Sequence, residues 1–184
     1  MVLFQRDREA RKARLPDGTK LTLRQVRPRD VAALRAFVRR LSPESRYLRF
    51  HGSVTDLSEA QWKYLVSADG WDHVAIVAWM GRRVVGVARY IRLDGSPDRA
   101  EVSFVVADAL QRRGLGSLLR DRLVAMALRA GIRFFRAEVM AENRGMRRLL
   151  RHSSLEILSD ADGVIEVGLV PRGSAPGTLE RRSA

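Results

Sequence analysis

Between Val105 and Gly131 the chain passes from a β-branched apolar run, through Gln111-Arg112-Arg113-Gly114-Leu115-Gly116-Ser117, into a long amphipathic segment. That junction demands a strand, a tight glycine turn and a helix in immediate succession. Leu115, Leu118, Leu119, Leu123, Met126 and Ala127 recur at helical spacing and form one apolar stripe, and Gly131 supplies a left-handed residue that ends the helix. Such a turn suits an anionic, phosphorylated ligand. Glycines let the backbone come close, the first amides of the helix have no acceptor behind them, and the helix dipole adds roughly +0.5 charge.

Two nucleotide-binding patterns fail here. A Walker-type loop needs Lys and then Ser or Thr after its last glycine, whereas Gly116 is followed by Ser117-Leu118. A dinucleotide fingerprint needs a third glycine, and Leu119 holds that position. The junction also follows several strands and is not the first strand-to-helix turn of the chain.

Upstream, Leu21, Leu23 and Gln25 alternate with Thr22, Arg24 and Val26 as a strand. Val31, Leu34, Phe37, Val38 and Leu41 predict a helix from Asp30; Ser42-Pro43 restarts the chain as a second helix through Phe50, and a third spans Ser58 to Val66. His73 to Met80 and Arg83 to Arg92 predict a hairpin about Gly81-Arg82, and after the Asp94-to-Pro97 turn, Ala100 to Val106 predicts the strand that enters the glycine junction. Ile132 to Met140 reads as a further strand, Asn143 to His152 as a helix, and Leu155 to Ser159 with Val164 to Val170 as a closing hairpin. The order is mixed α/β: one sheet with helices on its faces.

The 184 residues suit one domain, able to bury ~70% of its unfolded surface. Residues 1–19 read as a basic tail, 20–170 as the folded body, and 171–184, opened by a Pro- and Gly-rich stretch, as a flexible tail. With no cysteine, disulfides, thiolate nucleophiles and thiolate metal sites are excluded, and the histidines His51, His73 and His152 lack metal-ligand spacing. They read as structural or surface groups, and no metal is expected. No long apolar run and no signal-peptide core are present, so the expectation is a cytoplasmic protein without a membrane span. The net charge of +13 comes from arginines scattered from Arg6 to Arg182, which reads as a basic solvated surface that attracts anions and not as a nucleic-acid interface. No pattern specifies an oligomeric state.

The Gln111-to-Gly116 loop after a central strand, with Asn143-Arg144-Gly145-Met146-Arg147-Arg148-Leu149 downstream, resembles the GNAT superfamily of acyl-CoA-dependent N-acetyltransferases. The resemblance implies a mostly antiparallel central sheet with a splayed pair of strands. It implies acetyl-CoA as co-substrate, with its pyrophosphate on Gln111, Arg112, Arg113, Gly114, Leu115, Gly116 and Ser117 and its pantetheine arm along Phe104, Val105 and Val106. Asn143 and Met146 would complete the cofactor-binding set, although Asn143 reads equally well as a helix cap. Leu150 stands where the family often has a tyrosine acid, and Ser154-Leu155 replaces its usual Gly-Phe pair. Arg27-Pro28-Arg29-Asp30 and the Leu41-to-Phe50 string, which includes Ser42-Pro43-Glu44-Ser45-Arg46-Tyr47, resemble more narrowly the catalytic domain of bacterial protein lysine acetyltransferases, including those that modify acetyl-CoA synthetase.

An amine arrives as ammonium and must lose a proton before attacking a thioester, so the site needs a base. Glu101, in Ala100-Glu101-Val102-Ser103, matches the glutamate that such lysine acetyltransferases use; Glu138 and Glu142 are the alternatives, and Tyr47 is a candidate on the substrate side. A backbone amide of the Phe104-to-Val106 strand would stabilise the developing oxyanion. The favoured acceptor is a protein lysine. The other readings are transfer to a small amine and a non-catalytic module that binds acetyl-CoA.

Overall fold

The computed structural model describes residues 10–50, 57–151 and 155–169. Within these, strands β1 (Arg11–Arg14), β2 (Lys20–Gln25), β3 (His73–Met80), β4 (Arg83–Leu93), β5 (Ser96–Val106), β6 (Phe134–Glu138), β7 (Leu155–Ala161) and β8 (Val164–Leu169) form one sheet in the order β1-β2-β3-β4-β5-β6-β8-β7. Helices α1 (Val31–Arg39), α2 (Pro43–Phe50), α3 (Glu59–Val66), α4 (Leu115–Arg129) and α5 (Arg144–Leu150) connect them. Every neighbouring pair is antiparallel except β5 and β6, which run parallel. The result is the mixed, mostly antiparallel α/β sheet expected. His51, His152, Ser154 and the 171–184 tail lie outside the described residues.

Both faces of the central strands are covered, which is why β3 is an unbroken apolar run and not an alternating one. Val74, Ile76 and Ala78 face a core built with Leu115, Leu119, Leu123 and Ala127 of α4, while Ala75 and Val77 face the second core, with Leu34, Phe37 and Val38 of α1 and Trp62 and Val66 of α3. The helix starts follow their sequence signals. The Ser58 hydroxyl accepts from Gln61 N–H and the Gln61 side chain accepts from Ser58 N–H, a reciprocal capping box, and the Ser42 hydroxyl takes Ser45 N–H at 3.1 Å. Gly131 ends α4 at φ +81°, as its position implies.

Two expectations are corrected. Arg11–Arg14, read as basic tail, pairs with Lys20 to Leu23 as an edge strand, held by its backbone ladder and by Ala13 and Leu15 against the core. The strand read from Ile132 to Met140 is only Phe134–Glu138. Ile132 and Val139 are apolar because both are buried, yet their amides serve Ala127 and Gly163 carbonyls outside the ladder. No helix among the described residues is long and apolar enough to cross a membrane.

Candidate active site

The glycine loop sits where β5 hands over to α4. Arg112 and Gly114 adopt positive φ (59° and 93°), and the first helical bond runs from Leu118 N–H to Gly114 C=O. The amides of Leu115, Gly116 and Ser117 therefore have no acceptor within the helix and open on the dipole's positive end. A Cβ at Gly114 would meet Pro16 Cδ at 3.2 Å, so the turn between β1 and β2 buttresses the loop. Two side chains here serve structure. Leu115 is fully buried, and Arg113 donates to Asp17 at 2.7 Å and to Ala109 C=O at 3.1 Å. Hydrogen bonds from Thr19 and Arg113 hold the Asp17 carboxyl down to about 2.

Gln111 Nε2 donates to Ser45 Oγ at 2.9 Å, and Asp108 accepts from Ser45 Oγ at 2.7 Å and from Ser42 Oγ and N–H at 2.6 and 3.0 Å. Partial burial pushes the Asp108 pKa up, and these donors more than reverse it, leaving the carboxyl below its ordinary value. The start of α2 is thereby tied to the loop.

Beside the loop, β5 loses its neighbour. Parallel pairing with β6 covers only Arg99, Ala100 and Glu101, after which the strands part. Ala107 N–H bonds Val85 C=O at 2.9 Å, which fixes the phase of the β4–β5 ladder: Val105 and Ser103 turn their peptide groups to β4. Phe104 and Val106 turn theirs to the gap left by β6. Of the three residues expected to line the pantetheine arm, Val105 thus has its backbone engaged in the sheet.

A cavity of about 290 Å³ opens at this parting, lined by Glu101, Ser103, Phe104, Glu138, Asn143 and Met146, with Arg49 and its neighbours on the other side. Five of the sequence-predicted residues, Glu101, Phe104, Asn143, Met146 and the alternative base Glu138, are brought together here. The Asn143 side chain accepts Met146 N–H at 3.0 Å and so caps α5, while also facing the cavity. Met146 packs on the α4-side core, and Leu149 lies 3.4 Å from where a Cβ of Gly116 would stand, which seats α5 against the loop.

Sequence reasoning missed Arg49, Arg89 and Ser103, which flank Glu101 on the face turned toward α1, α2 and α3. Arg49 donates to Ser103 Oγ at 3.1 Å, and Arg89, opposite Ser103 on β4, donates to Leu65 C=O at 2.8 Å and meets His73 Nε2. Burial, and then the Arg49 charge, bring the Arg89 guanidinium down to about 9. The stretch Val87-Ala88-Arg89-Tyr90-Ile91-Arg92 gives no hint of this, because a buried arginine has the same sequence signature as a solvated one.

His73 is buried, its ring 5.1 Å from that of Tyr64, and burial followed by the Arg89 charge lowers its pKa from 6.5 to about 4. The unfolded imidazole consequently binds more protons between pH 4 and 6.5, so stability is expected to rise with pH across that window and to lose this contribution on acidification through it. Urea midpoints measured from pH 7 to 4 check this. A His73→Gln chain should show a flatter profile, and an identical one would remove the assignment. Among the described residues no cluster of His, Asp or Glu could hold a metal ion.

The acetyltransferase (GNAT) family profile matches residues 34–153, a stretch that contains the loop, the parted strands and Asn143. The chain belongs to the acetyltransferase (GNAT) family. It is thus a member of a family of acyl-CoA-dependent N-acetyltransferases that use acetyl-CoA as co-substrate. It is 33% identical over 158 residues to acetyltransferase Pat of Mycolicibacterium smegmatis, covering 84% of this chain and 47% of that protein. It is also 33% identical over 139 residues to acetyltransferase PA5475 of Pseudomonas aeruginosa, covering 73% of this chain and 74% of the other. The GNAT domain of S. lividans PAT superposes with a TM-score of 0.79 at 29% identity, covering 87% of this chain and 96% of that one. The chain spans about half the length of the Mycolicibacterium relative.

Proposed function

We propose that this GNAT domain moves the acetyl group of acetyl-CoA directly to the side-chain amine of a protein lysine, with Glu101 as general base. The observation that carries the reading is the position of Glu101. It is the last β5 residue paired with β6, so its carboxylate stands at the mouth of the opening between the strands, in one cavity with Phe104, Asn143 and Met146. A donor held by the loop amides and along the Phe104 and Val106 peptide edge would enter that opening from the α4 side, and an amine from the α2 side would pass Glu101. Acetyl-CoA supplies the activated thioester carbonyl.

Glu101 would take the ammonium proton, directly or through a water, and free the amine's lone pair. An edge amide of Phe104 or Val106 faces the gap and would donate to the oxygen as charge grows on it. Leu150, at the position of the family's tyrosine, is fully buried and apolar, so it offers no proton to the departing sulfur. A thiol of pKa ~8.5 leaves as thiolate with little assistance near neutral pH.

Incubating the protein with acetyl-CoA and a cell lysate, then mapping acetylated lysines by mass spectrometry, tests the acceptor class. Enzyme-dependent acetylation concentrated on a few lysines is the expected result; transfer to free amines alone would move the reading to a small-amine acceptor. The two roles of Asn143 are separable. Asn143→Ala is expected to cost about 1 kcal/mol of stability with the lost cap and to raise KM for acetyl-CoA, whereas Asn143→Asp keeps the capping oxygen and should raise KM without lowering Tm. An unchanged KM in Asn143→Asp would make the residue a cap and nothing more.

A further inference from the structure

Behind Glu101 the main cavity continues into a smaller one, about 40 Å³, that shares Arg49, Phe50 and Ser103 with it and reaches Arg89. Among the described residues its remaining walls are apolar, chiefly Phe37, Trp62, Val87 and Val105. A volume of ~10–15 Å³ holds one water by the same measure, so the space fits a group of two or three heavy atoms. We propose that this inner cavity is a carboxylate subsite, in which Arg49 and Arg89 hold the terminal carboxylate of a short aliphatic group.

The charges carry the argument. Arg89 is 5% exposed, and its partners are the Leu65 carbonyl and a His73 ring, neither of which is an anion. Arg49 bonds the neutral Ser103 hydroxyl. Among the described residues neither guanidinium has a carboxylate within ion-pair distance, although each carries donors beyond those used. A buried cation, Arg89, with a second, partly exposed one beside it is costly until an anion joins them. Burial depresses both, with Glu101 opposing it at Arg49.

A carboxylate is the anion that fits. It is flat, matches the guanidinium fork, and can be delivered on a methylene stem that suits Phe37, Trp62 and Val105. A phosphate would leave oxygens against those apolar walls without donors. The carboxylate has two possible carriers, the far end of an acyl group or an acidic group on the amine acceptor itself.

Binding alone tests this, independently of the transferase reading. Affinities are measured calorimetrically for two matched pairs: succinyl-CoA against butyryl-CoA, and 4-aminobutyrate against 4-aminobutanamide. In the pair that carries the subsite's ligand, the carboxylate-bearing member should bind at least tenfold tighter, as charged hydrogen bonds to buried partners imply. Arg49→Gln and Arg89→Met should each erase that preference. Because Arg89 also supports Leu65 and His73, Arg49→Gln decides if the other chain does not fold. Equal affinities in both pairs, or a preference that survives Arg49→Gln, would overturn the subsite. Failure of acetyl-CoA itself to bind would instead count against the transferase reading, and the 4-aminobutyrate pair would still decide the subsite.

Discussion

Replacing Glu101 with glutamine is expected to lower kcat for lysine acetylation by about 10²- to 10⁴-fold at neutral pH, with acetyl-CoA binding retained. The substitution keeps the side chain's size and its place at the end of the β5–β6 pairing and removes only its basicity. A lysine ammonium titrates near pH ~10.4, so at neutral pH almost every acceptor carries the proton that Glu101 would accept. As pH approaches that value solvent deprotonates the amine unaided, and the gap between the two proteins should narrow. Thiol release followed from pH 6 to 10 measures both effects. Full turnover by Glu101→Gln across that range would take the role away from this residue.

Leu119→Ala is expected to destabilise the domain by about 2–5 kcal/mol, a large share of the ~5–15 kcal/mol typical of such domains. Leu119 is fully buried in the stripe of α4, and its Cδ1 lies 3.0 Å from where a Cβ of Gly86 would stand. The absence of a side chain at Gly86 is what lets Leu119 and Leu115 of α4 lie so close to β4, so truncation at 119 removes a side chain packed directly on the strand. Since α4 begins at the glycine loop, KM for acetyl-CoA should rise in the same chain more than kcat falls. Saturating acetyl-CoA should then restore part of the lost stability by mass action. Urea unfolding with and without acetyl-CoA checks both expectations, and a loss below 1 kcal/mol would show that the helix closes onto Gly86 by another route.

What could be read in advance follows the strength of the local signals. The hairpins at Gly81, Gly95 and Gly163 were legible because each turn places a glycine at positive φ (59°, 70° and 76°), and α4 was legible because its stripe, glycine start and Gly131 stop agree. The strand Arg11–Arg14 was not, since an edge strand rests on its backbone ladder and its sequence carries one apolar residue in four. At the site, Glu101 and Asn143 were proposed from the family resemblance on either side of the loop, and the structure brings both to one cavity. Arg49 and Arg89 were hidden among 34 basic residues, and only the fold distinguishes the few that it buries. Gly86 gave no motif at all, because its reason for being glycine lies on another element.

The hydrogen bonds from Ser42, Ser45 and Gln111 that meet around Asp108 have a consequence for how such a domain can change its substrates. The helix that carries Arg49 and the loop proposed to hold the donor are joined through one carboxylate and Ser45. A substitution that shifts α2 to admit a new amine also pulls on the donor's cradle. On the proposed reading, acceptor choice and donor affinity would be tuned jointly, and variants selected for one should carry compensating changes in the other.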